Sequence, residues 1–561
     1  MNLLGKGMDP EFWRSVREKD CFATYRKELH NLWEERCENV PIYALKYSDY
    51  KMYWGSGNRS VYEKTYFTRR LAMDCSALLA LIYPEEEKYV NRLMDQIYAI
   101  CDEYSWCVPA HQGELDRNLN TKIDLFASET GFALAEIYTL LGDRLDPLIR
   151  NRILAEFKRR ILIPYSTREM DYWWEKCTNN WAAVCMCSVA CGIMLLYPEE
   201  FDALKPRFDN TFECYLSGFN DDGICLEGCG YWHYGFGFFN VYADMVRTFT
   251  NGETDYYKRE KVKSIATFIQ KMFLTEKASV SFADGGTSVS YHLGLVHHLK
   301  SIYPDEVIVY DPKYSYNYDG CGRFCLQLRS AIWFNEDYYN NPAENAVDAT
   351  YYAPDSQWFI RRTPSYGFAA KAGNNNEHHN HNDVGNFIFA KNGKQMITDL
   401  GPGAYTRQYF HAERYTIVEA SARSHNVPII NGVLQSFGSE YKATNVSGNG
   451  NTFCCDISAA YKVNGLNKLK RTFSCYDTEV TVCDEIDYVG EGIVTERFVS
   501  SFEPVITNDY VEIGSAKLYY DSSICIPYVT TEVITRRAGE LCYMINFDLP
   551  QGTNKFSVKI V

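Results

Sequence analysis

The sequence predicts a multidomain α + β protein, in which an N-terminal (α/α) toroid of helical hairpins is followed by a C-terminal antiparallel β-sandwich. Up to about Asn340, apolar residues recur at three- and four-residue spacing between Pro, Gly and Asn turns, which is typical of helices. After about Asp348 the chain changes to short alternating segments rich in β-branched and aromatic residues, which are typical of strands. We therefore expect a toroid domain over residues 1–345 and a β-sandwich domain over residues 346–561.

The helical half is predicted to form successive antiparallel hairpins. Six runs have helical spacing: 68–83, 90–103, 122–141, 146–163, 180–196 and 234–249. Because every run must bury an apolar face, curling the hairpins into a toroid would create an inner layer of helices and a cleft at the helix ends. The uncharged segment 181–197 reaches only the short limit of a membrane span of about 20 residues. We interpret it as a buried inner helix.

The second half contains segments with strand character. They are 356–363, 366–373, 385–401, 426–435 and 479–489. Asn392-Gly393 and Asn431-Gly432 are turn signals that separate or end these runs. An antiparallel sandwich or a stack of sheets would bury their alternating faces.

Composition and charge narrow the possible partners. The formal net charge of −15 argues against nonspecific nucleic-acid binding, which depends on Lys and Arg neutralising phosphates. A polyanionic ligand would need a local basic cleft. The 20 cysteines lie largely in apolar segments without zinc-finger spacing, so we interpret them as buried thiols of a reducing compartment. Because the amino terminus lacks a secretory signal, we expect a cytoplasmic protein, or a periplasmic or secreted one if the natural amino terminus has been removed.

The densest polar cluster lies between two predicted strands, in the segment NNNEHHNHNDVGNF at 374–387. If this segment is extended, alternation places His379, His381 and Asp383 on one face. Neutral imidazole and carboxylate are common ligands of zinc and related ions, and Asp399 and His425 are further candidates. The alternative is a surface loop whose histidines only make hydrogen bonds.

Further candidates are ambiguous when taken one at a time. The segment CLEGCGYWHYG carries Glu227, Tyr231 and Tyr234 where a glycine-rich loop enters a helix, although aromatic residues at helical spacing usually pack in a core. Asn179 and Asn180 precede the inner helix, where an asparagine either caps the helix or binds a carboxylate. Further candidate cleft residues are His111, Tyr405, Arg407 and Arg414.

Five motifs, taken together and in this order, resemble the heparinase II/III-like polysaccharide lyases. They are NNW at 179–181, EGCGYWHYG at 227–235, HNHNDVGNF at 379–387, TDLG at 398–401 and SHN at 424–426. The resemblance covers most of the chain and implies an (α/α) toroid joined to a β-sandwich. It also implies cleavage of a uronic-acid-containing glycan, such as heparan sulfate, chondroitin or hyaluronan, by β-elimination. Alginate or oligoalginate is the alternative substrate with the same mechanism.

The resemblance also implies roles for individual residues. Tyr231 matches the catalytic tyrosine and His379 the catalytic histidine, which should face each other across a sugar-sized gap, and Asn180 or Asn179 contacts the substrate carboxylate. Some members have a histidine near the position of Asn180 and this chain does not, so a histidine role there is not carried over. The matching metal ligands are His381, Asp399 and His425, and the remaining substrate-binding candidates are Tyr234, His111, Tyr405, Arg414 and Glu227.

The chemistry explains these residue types. Removing a proton beside a carboxylate builds enolate charge, which fixed donors stabilise, while a base takes the carbon-5 proton and an acid protonates the leaving oxygen. Tyr231 suits the acid role, and either His379 is the base or, for the other uronate epimer, Tyr231 does both jobs. We expect one divalent metal ion with a mainly structural role, zinc first, with manganese or calcium as alternatives. The expected partner is an acidic polysaccharide or oligosaccharide, with no nucleic acid, no membrane, and a monomeric or homodimeric state.

Two other functional classes compete with a lyase. A toroidal glycoside hydrolase would use a pair of carboxylates and a water molecule, and Glu227, Asp124 and Asp222 could serve. That hypothesis leaves the histidine cluster unexplained. A noncatalytic glycan-binding protein would use the aromatic and histidine sites for sugar and structural metal only.

Overall fold

A computed structural model describes residues 1–113, 118–167, 172–288, 290–317, 319–343, 348–537 and 539–561. The chain forms two compact units. Unit 1 comprises Met1–Gly218, His233–Lys263 and Tyr291–Ala343, and unit 2 comprises Phe219–Trp232, Ser264–Ser290 and Glu344–Val561. Two segments from the helical half of the sequence therefore belong to the β-rich unit. The expected boundary between residues 345 and 346 lies outside the described residues.

Unit 1 is helical. In chain order, the α-helices of the described residues are α1 Pro10–Glu18, α2 Ala23–Arg36, α3 Tyr47–Ser56, α4 Ser60–Ile82, α5 Glu87–Cys101, α6 Leu125–Leu141, α7 Pro147–Phe157, α8 Ile163–Ser166, α9 Asn180–Leu196, α10 Phe201–Ser217, α11 Cys229–Tyr231, α12 Gly237–Phe249, α13 Glu260–Ala266, α14 Phe268–Met272, α15 Leu293–Ile302, α16 Phe324–Ile332 and α17 Glu336–Asn340. Of these, α11 and α14 belong to unit 2, and α13 is divided between the two units after Lys263. Short antiparallel helices joined by tight turns are what the alternating apolar runs and turn residues predict.

The predicted inner helix is present as α9, with the predicted bounds. One amide of its first turn is satisfied because the Asn179 side chain accepts a hydrogen bond from the Trp181 amide at 3.1 Å, as in a helix cap. The helix packs against α6, α10 and α12, and Gly192 leaves room for the ring of Phe157. A Cβ at Gly192 would lie 2.5 Å from that ring, so a side chain there would break the packing. Over the described residues, no helix is both long and apolar enough to cross a membrane.

Some helix boundaries differ from the predicted ones for local reasons. Helix α6 begins at Leu125 and not at residue 122, because the Asp124 side chain accepts from the Ala127 amide at 2.7 Å and starts the helix there. The predicted run 146–163 is α7 followed by a π-helical turn over Lys158–Leu162. Another π-helical turn, Trp232–Phe236, precedes α12.

Unit 2 is built mainly from strands, and its sheets enclose one large apolar core with two smaller apolar clusters beside it. The strands of the whole described chain are β1 Phe273–Thr275, β2 Ala278–Ser279, β3 Tyr291–His292, β4 Ser315–Tyr316, β5 Ala349–Ala353, β6 Trp358–Arg362, β7 Gly367–Lys371, β8 Asn374–Asn375, β9 Phe387–Lys391, β10 Lys394–Ile397, β11 Ile429–Ile430, β12 Gly438–Lys442, β13 Thr444–Asn449, β14 Thr452–Asp456, β15 Leu466–Cys475, β16 Val480–Tyr488, β17 Val494–Ser500, β18 Val505–Ile506, β19 Tyr510–Ile513, β20 Ala516–Tyr519, β21 Tyr528–Val533, β22 Leu541–Leu549 and β23 Lys555–Ile560. Among the strands of the described residues, the pair β3 and β4, which lies in unit 1, is the only parallel one.

Three larger antiparallel sheets organise unit 2. Their strand orders are β10-β9-β7-β6-β5, β11-β17-β22-β21 and β13-β14-β15-β16-β23-β20-β19-β18. The predicted strand 426–435 is reduced to β11, because Asn431 and Gly432 adopt positive φ angles of 48° and 75° and turn the chain. All 20 cysteines are free thiols in the described part of the chain, 13 of them buried and 7 half-buried, so the predicted burial holds for most of them.

Candidate active site

Tyr231 and His379 are in direct contact within unit 2. Their rings are stacked, with centroids 4.0 Å apart and planes inclined by 28°. Burial, followed by the negative charge of Asp284, raises the pKa of Tyr231 above its usual range, so the hydroxyl stays protonated at neutral pH. The expectation that the two side chains face each other across a sugar-sized gap is wrong. The rings lie face to face, with His379 bonded to Asp284 and the Tyr231 hydroxyl bonded to Tyr405, so they can act only on a group that reaches them together.

Asp284 is the centre of the cluster, and its side chain is fully buried. Two groups donate to Oδ2, namely His379 Nδ1 at 2.5 Å and the Tyr405 hydroxyl at 3.0 Å. Three groups approach Oδ1, namely the Tyr409 hydroxyl at 2.5 Å, Arg414 Nη2 at 3.1 Å and His381 Nε2 at 3.3 Å. Burial alone would raise the pKa of Asp284, but the bonds and charges of His379, His381 and Arg414 outweigh it and hold that pKa well below its usual range. Asp284 is therefore a carboxylate that only accepts hydrogen bonds.

The Asp284 carboxylate determines which nitrogen of the His379 imidazole carries the hydrogen. Because Asp284 can only accept, Nδ1 of His379 must carry a hydrogen, and in the neutral ring the lone pair is then on Nε2. Nε2 faces Glu227 Oε2 at 3.4 Å, a distance longer than a good hydrogen bond. A proton gained at Nε2 would lie beside the Glu227 carboxylate. The site thus holds a base with a defined orientation and a partner for its charged form.

A chain of hydrogen bonds connects the two aromatic residues through the carboxylate. The Tyr405 hydroxyl donates to Asp284, so its oxygen is left to accept from the Tyr231 hydroxyl, 3.0 Å away. The order of the chain is Tyr231, Tyr405, Asp284, His379. Every link is short enough to pass a proton.

Three glycines bring the loops of the cluster together. Gly228 has φ of 99°, and a Cβ there would lie 3.0 Å from the Gly285 amide nitrogen. Gly401 has φ of 68°, and a Cβ there would lie 2.1 Å from the Gly285 carbonyl oxygen. Ala283 and His379 also adopt left-handed backbone conformations, with φ of 57° and 56°, which are uncommon for residues with a Cβ. The loops carrying Tyr231, Asp284 and Asp399 can approach this closely only with glycine at the contacts.

The left-handed backbone at His379 also overturns the predicted alternation. Residues 376–386 form turns between β8 and β9 and are not an extended strand. His379 and His381 nevertheless both reach Asp284, whereas Asp383 accepts from Lys371 Nζ at 2.8 Å. The common face of the three residues predicted from an extended segment is therefore wrong.

Arg414 is committed to the protein interior. Its guanidinium donates to Asp284 at 3.1 Å, to the His379 carbonyl at 3.0 Å and to the Asn380 carbonyl at 2.9 Å. It also lies over the ring of Tyr409, 4.0 Å from the centroid. With these bonds it fixes the His379 loop on Asp284, a positioning role that differs from the predicted contact with substrate.

The predicted metal ligands His381, Asp399 and His425 also meet in unit 2. One donor atom from each lies within 4.8 Å of the others, and all three side chains are fully buried. His425 Nε2 bonds the Glu419 carbonyl at 2.9 Å, which leaves Nδ1 facing Asp399 Oδ2 at 3.4 Å. Nδ1 of His381 is buried with no hydrogen-bond partner among the described residues, and burial lowers the pKa of His381 so that the ring stays neutral. Two imidazole lone pairs and a carboxylate fit a divalent metal such as zinc.

The remaining predicted residues lie in unit 1, where each has contacts of its own. Asn179 caps α9, and Asn180 is buried at its first turn, with only 2% of its surface exposed. His111 Nδ1 lies 2.7 Å from Asp124 Oδ2, and its ring stacks on Phe126. Of these residues, Asn179 adopts the capping role that its position predicts.

Tyr234, the alternative to Tyr231, is packed inside unit 1. Its hydroxyl donates to Glu129, and the Arg323 guanidinium lies over its ring, 3.8 Å from the centroid. Burial raises the pKa of Glu129 to about 7, although Arg323 and the Tyr234 hydroxyl act in the opposite direction. Tyr234 thus belongs to a buried polar cluster that does not include a histidine base among its described contacts.

The carboxylates considered for hydrolysis are not arranged as a pair. Asp222 in unit 2 accepts from the Ser356 amide and hydroxyl, both at 2.7 Å, and Asp124 in unit 1 caps α6 and bonds His111. Only Glu227 adjoins the catalytic candidates. Asp222 thus holds the turn at Ser356, and Asp124 caps a helix.

Sequence reasoning missed Asp284 and Tyr409, which complete the cluster. Tyr409 lies in the segment that supplied Tyr405, and its hydroxyl bonds Asp284 at 2.5 Å. The segment SFADGG at 281–286 does carry a signal, because an aspartate followed by two glycines between apolar runs is typical of a tight loop. Nothing local indicated that this loop would lie beneath His379.

No family model matches this sequence, and no curated protein matches it either. Solved structures do match. A mutant of the heparan sulfate lyase HepC from Pedobacter heparinus aligns with 100% of this chain and 87% of its own, at 11% identity and a TM-score of 0.63. Heparinase III aligns with 100% of this chain and 92% of its own, at 13% identity and a TM-score of 0.60. The Streptomyces coelicolor A3 chondroitin AC lyase, solved with chondroitin sulphate, aligns with 98% of this chain and 82% of its own, at 10% identity and a TM-score of 0.57.

At such low identity the likeness concerns the fold alone. It extends over essentially the whole chain and over more than four-fifths of each solved structure. The predicted fold class, a helical toroid followed by an antiparallel β-sandwich, is confirmed. The chain therefore has the fold of the heparinase-like polysaccharide lyases.

Proposed function

We propose that this protein is a polysaccharide lyase that cleaves a uronic-acid-containing glycan by β-elimination and leaves an unsaturated uronate end. The observation that carries the proposal is the stacked pair Tyr231 and His379, with Asp284 orienting the imidazole. The fold supports it, because solved proteins with this fold include heparan sulfate and chondroitin lyases. An acid and an oriented base favour elimination over hydrolysis, and both carboxylates that adjoin His379 in the described residues, Asp284 and Glu227, are directed at its imidazole.

The two groups divide the proton transfers between them. Nε2 of His379 takes the proton from carbon-5, the electrons form the double bond to carbon-4, and the bond from carbon-4 to the glycosidic oxygen breaks. Tyr231, protonated because burial raises its pKa, donates to the departing oxygen. Each transfer typically contributes about 100- to 10,000-fold to the rate. Glu227 stabilises the imidazolium that forms, because it already faces Nε2.

The developing enolate needs hydrogen-bond donors or positive charge at the substrate carboxylate. The residues that the resemblance implies for this contact, Asn179 and Asn180, lie in unit 1, where Asn179 caps α9 and Asn180 is buried with 2% of its surface exposed. Their contact with the substrate carboxylate stays a prediction. Because Arg414 is engaged with Asp284, the other acidic groups of the glycan would meet exposed cations beside Tyr405. Those cations are Arg407 and Arg536. The guanidinium carbon of Arg536 lies 6.0 Å from the Tyr405 ring centroid.

The hydrogen-bond chain offers a route that reprotonates Tyr231 after each turnover. Elimination leaves the carbon-5 proton on Nε2 of His379 and a phenolate at Tyr231. The Tyr405 hydroxyl can pass its proton to Tyr231, and the Nδ1 proton of His379 can pass through Asp284 to Tyr405. His379 then still carries the carbon-5 proton on Nε2, and it must lose that proton and regain one on Nδ1 from solvent before the next turnover.

The stacked rings favour one stereochemical class of substrate. Since acid and base approach from one side, the carbon-5 hydrogen and the carbon-4 oxygen should lie on the same face of the sugar. Glucuronate and mannuronate have this arrangement, and iduronate and guluronate do not. Glucuronate-containing glycosaminoglycans such as chondroitin, hyaluronan and the glucuronate regions of heparan sulfate are therefore the proposed substrates, with the mannuronate blocks of alginate as the alternative.

We propose that His381, Asp399 and His425 hold one divalent metal ion, with zinc favoured by the two imidazoles and the buried site. The ion would crosslink three loops, which follow β8, β10 and the short helical turn at residues 422–424. It would not take part in proton transfer. His381 would then present Nε2 to Asp284 from a fixed ring. Metal analysis of the purified protein by mass spectrometry, compared with His425→Ala, tests this assignment.

The function is tested by incubating the protein with chondroitin, hyaluronan, heparan sulfate and alginate. We expect ultraviolet absorbance from a carbon-4 to carbon-5 double bond, and product masses one water lower than those of hydrolysis. Tyr231→Phe and His379→Asn should abolish the absorbance, whereas His378→Asn, at an exposed neighbour in the same loop, should retain it. New reducing ends without absorbance would contradict elimination, and binding without turnover would favour a noncatalytic protein.

A further inference from the structure

Unit 1 contains a tyrosine-lined cavity of about 690 Å³ that includes none of the residues assigned to catalysis. Its walls come from the segment before α3, from α3 and α4, and from the end of α5. The lining tyrosines are Tyr47, Tyr50, Tyr62, Tyr98 and Tyr104. A cavity of this size holds a small oligosaccharide, since typical ligand pockets measure about 300 to 1,000 Å³.

The aromatic rings are displayed to solvent in a way that packing does not explain. Tyr47 is 76% exposed and Tyr104 is 69% exposed, although large apolar rings usually lie inside. Tyr47 and Tyr50 are spaced by three positions on α3, so they share a face, and their ring planes are inclined by only 17°. Flat, parallel, accessible rings suit the apolar faces of pyranose sugars.

Hydrogen bonds hold this surface in place. The Tyr50 hydroxyl donates to the Gln112 side-chain oxygen, and the Gln112 amide donates to the Cys107 carbonyl at 2.9 Å and to Ser105 Oγ at 3.1 Å. The Arg160 guanidinium donates to the Tyr104 carbonyl at 3.2 Å and thus supports the opposite wall. A preformed surface loses little conformational entropy when a ligand binds.

The charges around the cavity are suited to an acidic ligand. Glu103, in the wall, is paired with two arginines: Arg70 binds it through two bonds of 2.7 and 2.6 Å, and Arg69 lies 3.1 Å away. Asp102 is paired with Arg152 at 2.8 Å. The charges of the lining itself balance, with Lys46 and Arg69 against Asp102 and Glu103. Because Arg70 and Arg152 also bind these two carboxylates from behind the wall, Lys46 is left to meet an acidic group of a ligand.

We propose that this cavity is a second, noncatalytic binding site for acidic oligosaccharide, in which sugar rings stack on Tyr47 and Tyr104 and a carboxylate or sulfate meets Lys46. The proposal rests on the proposed function for its ligand class. The site retains a long glycan while other sugar units of the same chain are cleaved. It would therefore raise affinity for polymers without changing the chemical step.

Binding is measured in the full-length chain carrying Tyr231→Phe, so that turnover does not consume the ligand. Isothermal titration with chondroitin polymer should give a Kd that rises about tenfold or more when Tyr47→Ala and Tyr104→Ala are added together. Lys46→Gln should weaken binding mainly at low salt. The control is Tyr476→Ala in unit 2, a residue 54% exposed whose amide donates to the Glu479 carbonyl and whose carbonyl accepts from the Tyr366 hydroxyl.

A second measurement separates this proposal from the proposed function. In the otherwise unchanged chain, the two tyrosine substitutions should raise KM for polymer and leave kcat for a short oligosaccharide as it was. Unchanged polymer affinity in a variant with a normal melting temperature would overturn the second site and leave the lyase proposal standing. Equal affinity for an uncharged glycan would overturn the acidic ligand class, and absence of turnover with intact tyrosine-dependent binding would overturn only the lyase proposal.

Discussion

Replacing Asp284 by asparagine should remove the base while preserving the shape of the site. Five groups converge on the two carboxylate oxygens. If the new amide nitrogen faces His379, two donors oppose each other, and the ring must move its proton to Nε2 and lose the basic lone pair. If the nitrogen instead faces Arg414, a buried guanidinium loses its carboxylate partner and releases the His379 loop.

The magnitude follows from the two roles. A positioned base contributes about 100- to 10,000-fold, so kcat/KM should fall by a similar factor, which corresponds to about 3 to 5 kcal/mol of transition-state stabilisation. KM should change little, since the Asp284 side chain is fully buried and does not meet the substrate. Breaking a buried ion pair should also lower the free energy of unfolding by about 3 to 5 kcal/mol.

The assay combines initial rates of ultraviolet absorbance with thermal unfolding. Asp484→Asn is the matched control, because it removes another buried carboxylate of unit 2, bound to Arg471 at 2.6 Å. Both variants should lose stability, but only Asp284→Asn should lose activity. If kcat/KM for Asp284→Asn stays within about threefold of the Asp484→Asn value, the orientation of His379 by Asp284 is refuted.

The same variant has a pH signature. The folded pKa of Asp284 lies well below its unfolded value of about 3.9, so its contribution to the free energy of unfolding is fully present above that value. The contribution is lost as the pH falls through the folded pKa. The stability difference between the unsubstituted protein and Asp284→Asn should therefore be constant from neutral pH to about pH 4 and shrink below it.

The other predictions concern the acid, a buried carboxyl and the metal. Tyr231→Phe should lower kcat by about 100- to 10,000-fold with little change in KM, because the phenol is needed only when the leaving oxygen departs, and Tyr234→Phe is its control in steady-state kinetics. Since burial raises the pKa of Glu129 from 4.5 to about 7, its stabilising effect is full below 4.5 and is lost as the pH rises through about 7. Relative to the unsubstituted protein, Glu129→Gln should gain about 3 kcal/mol in free energy of unfolding between about pH 4 and pH 9, measured by denaturant titration. Chelation should lower the melting temperature of the protein and leave that of His425→Ala unchanged.

Each of these has a clear contrary result. Activity lost in Tyr234→Phe and kept in Tyr231→Phe would exchange the two tyrosines. A stability difference for Glu129→Gln that does not vary with pH would mean that this carboxyl titrates normally. A chelator that leaves the melting temperature unchanged in metal-loaded protein would remove the structural role of the ion.

Much of the fold was predictable because it depends on local periodicity. Helix α9 has the bounds that its apolar run and Asn179 predict, since a cap and a continuous apolar segment are both local signals. Strands β6, β7 and β16 likewise lie within predicted segments. Strand β11 was overestimated, because the positive φ angles at Asn431 and Gly432 convert the end of an apolar run into a turn.

The site was only partly predictable because Asp284 depends on contacts between distant segments. Its position beneath His379, 95 residues later, results from the close approach of Gly285 to Gly228 and Gly401. The left-handed conformation of His379 is also imposed by its surroundings, including the Arg414 bond to its carbonyl. A sequence pattern can indicate which residue types serve the chemistry, but it does not show which distant loop supplies their partner.

The most direct measurement uses a glucuronate oligosaccharide carrying deuterium at carbon-5. Elimination through His379 predicts an unsaturated product without deuterium, a slower reaction than with hydrogen at that carbon, and no product from His379→Asn. A product that keeps its deuterium and has gained a water molecule would contradict proton abstraction by the stacked Tyr231 and His379 pair.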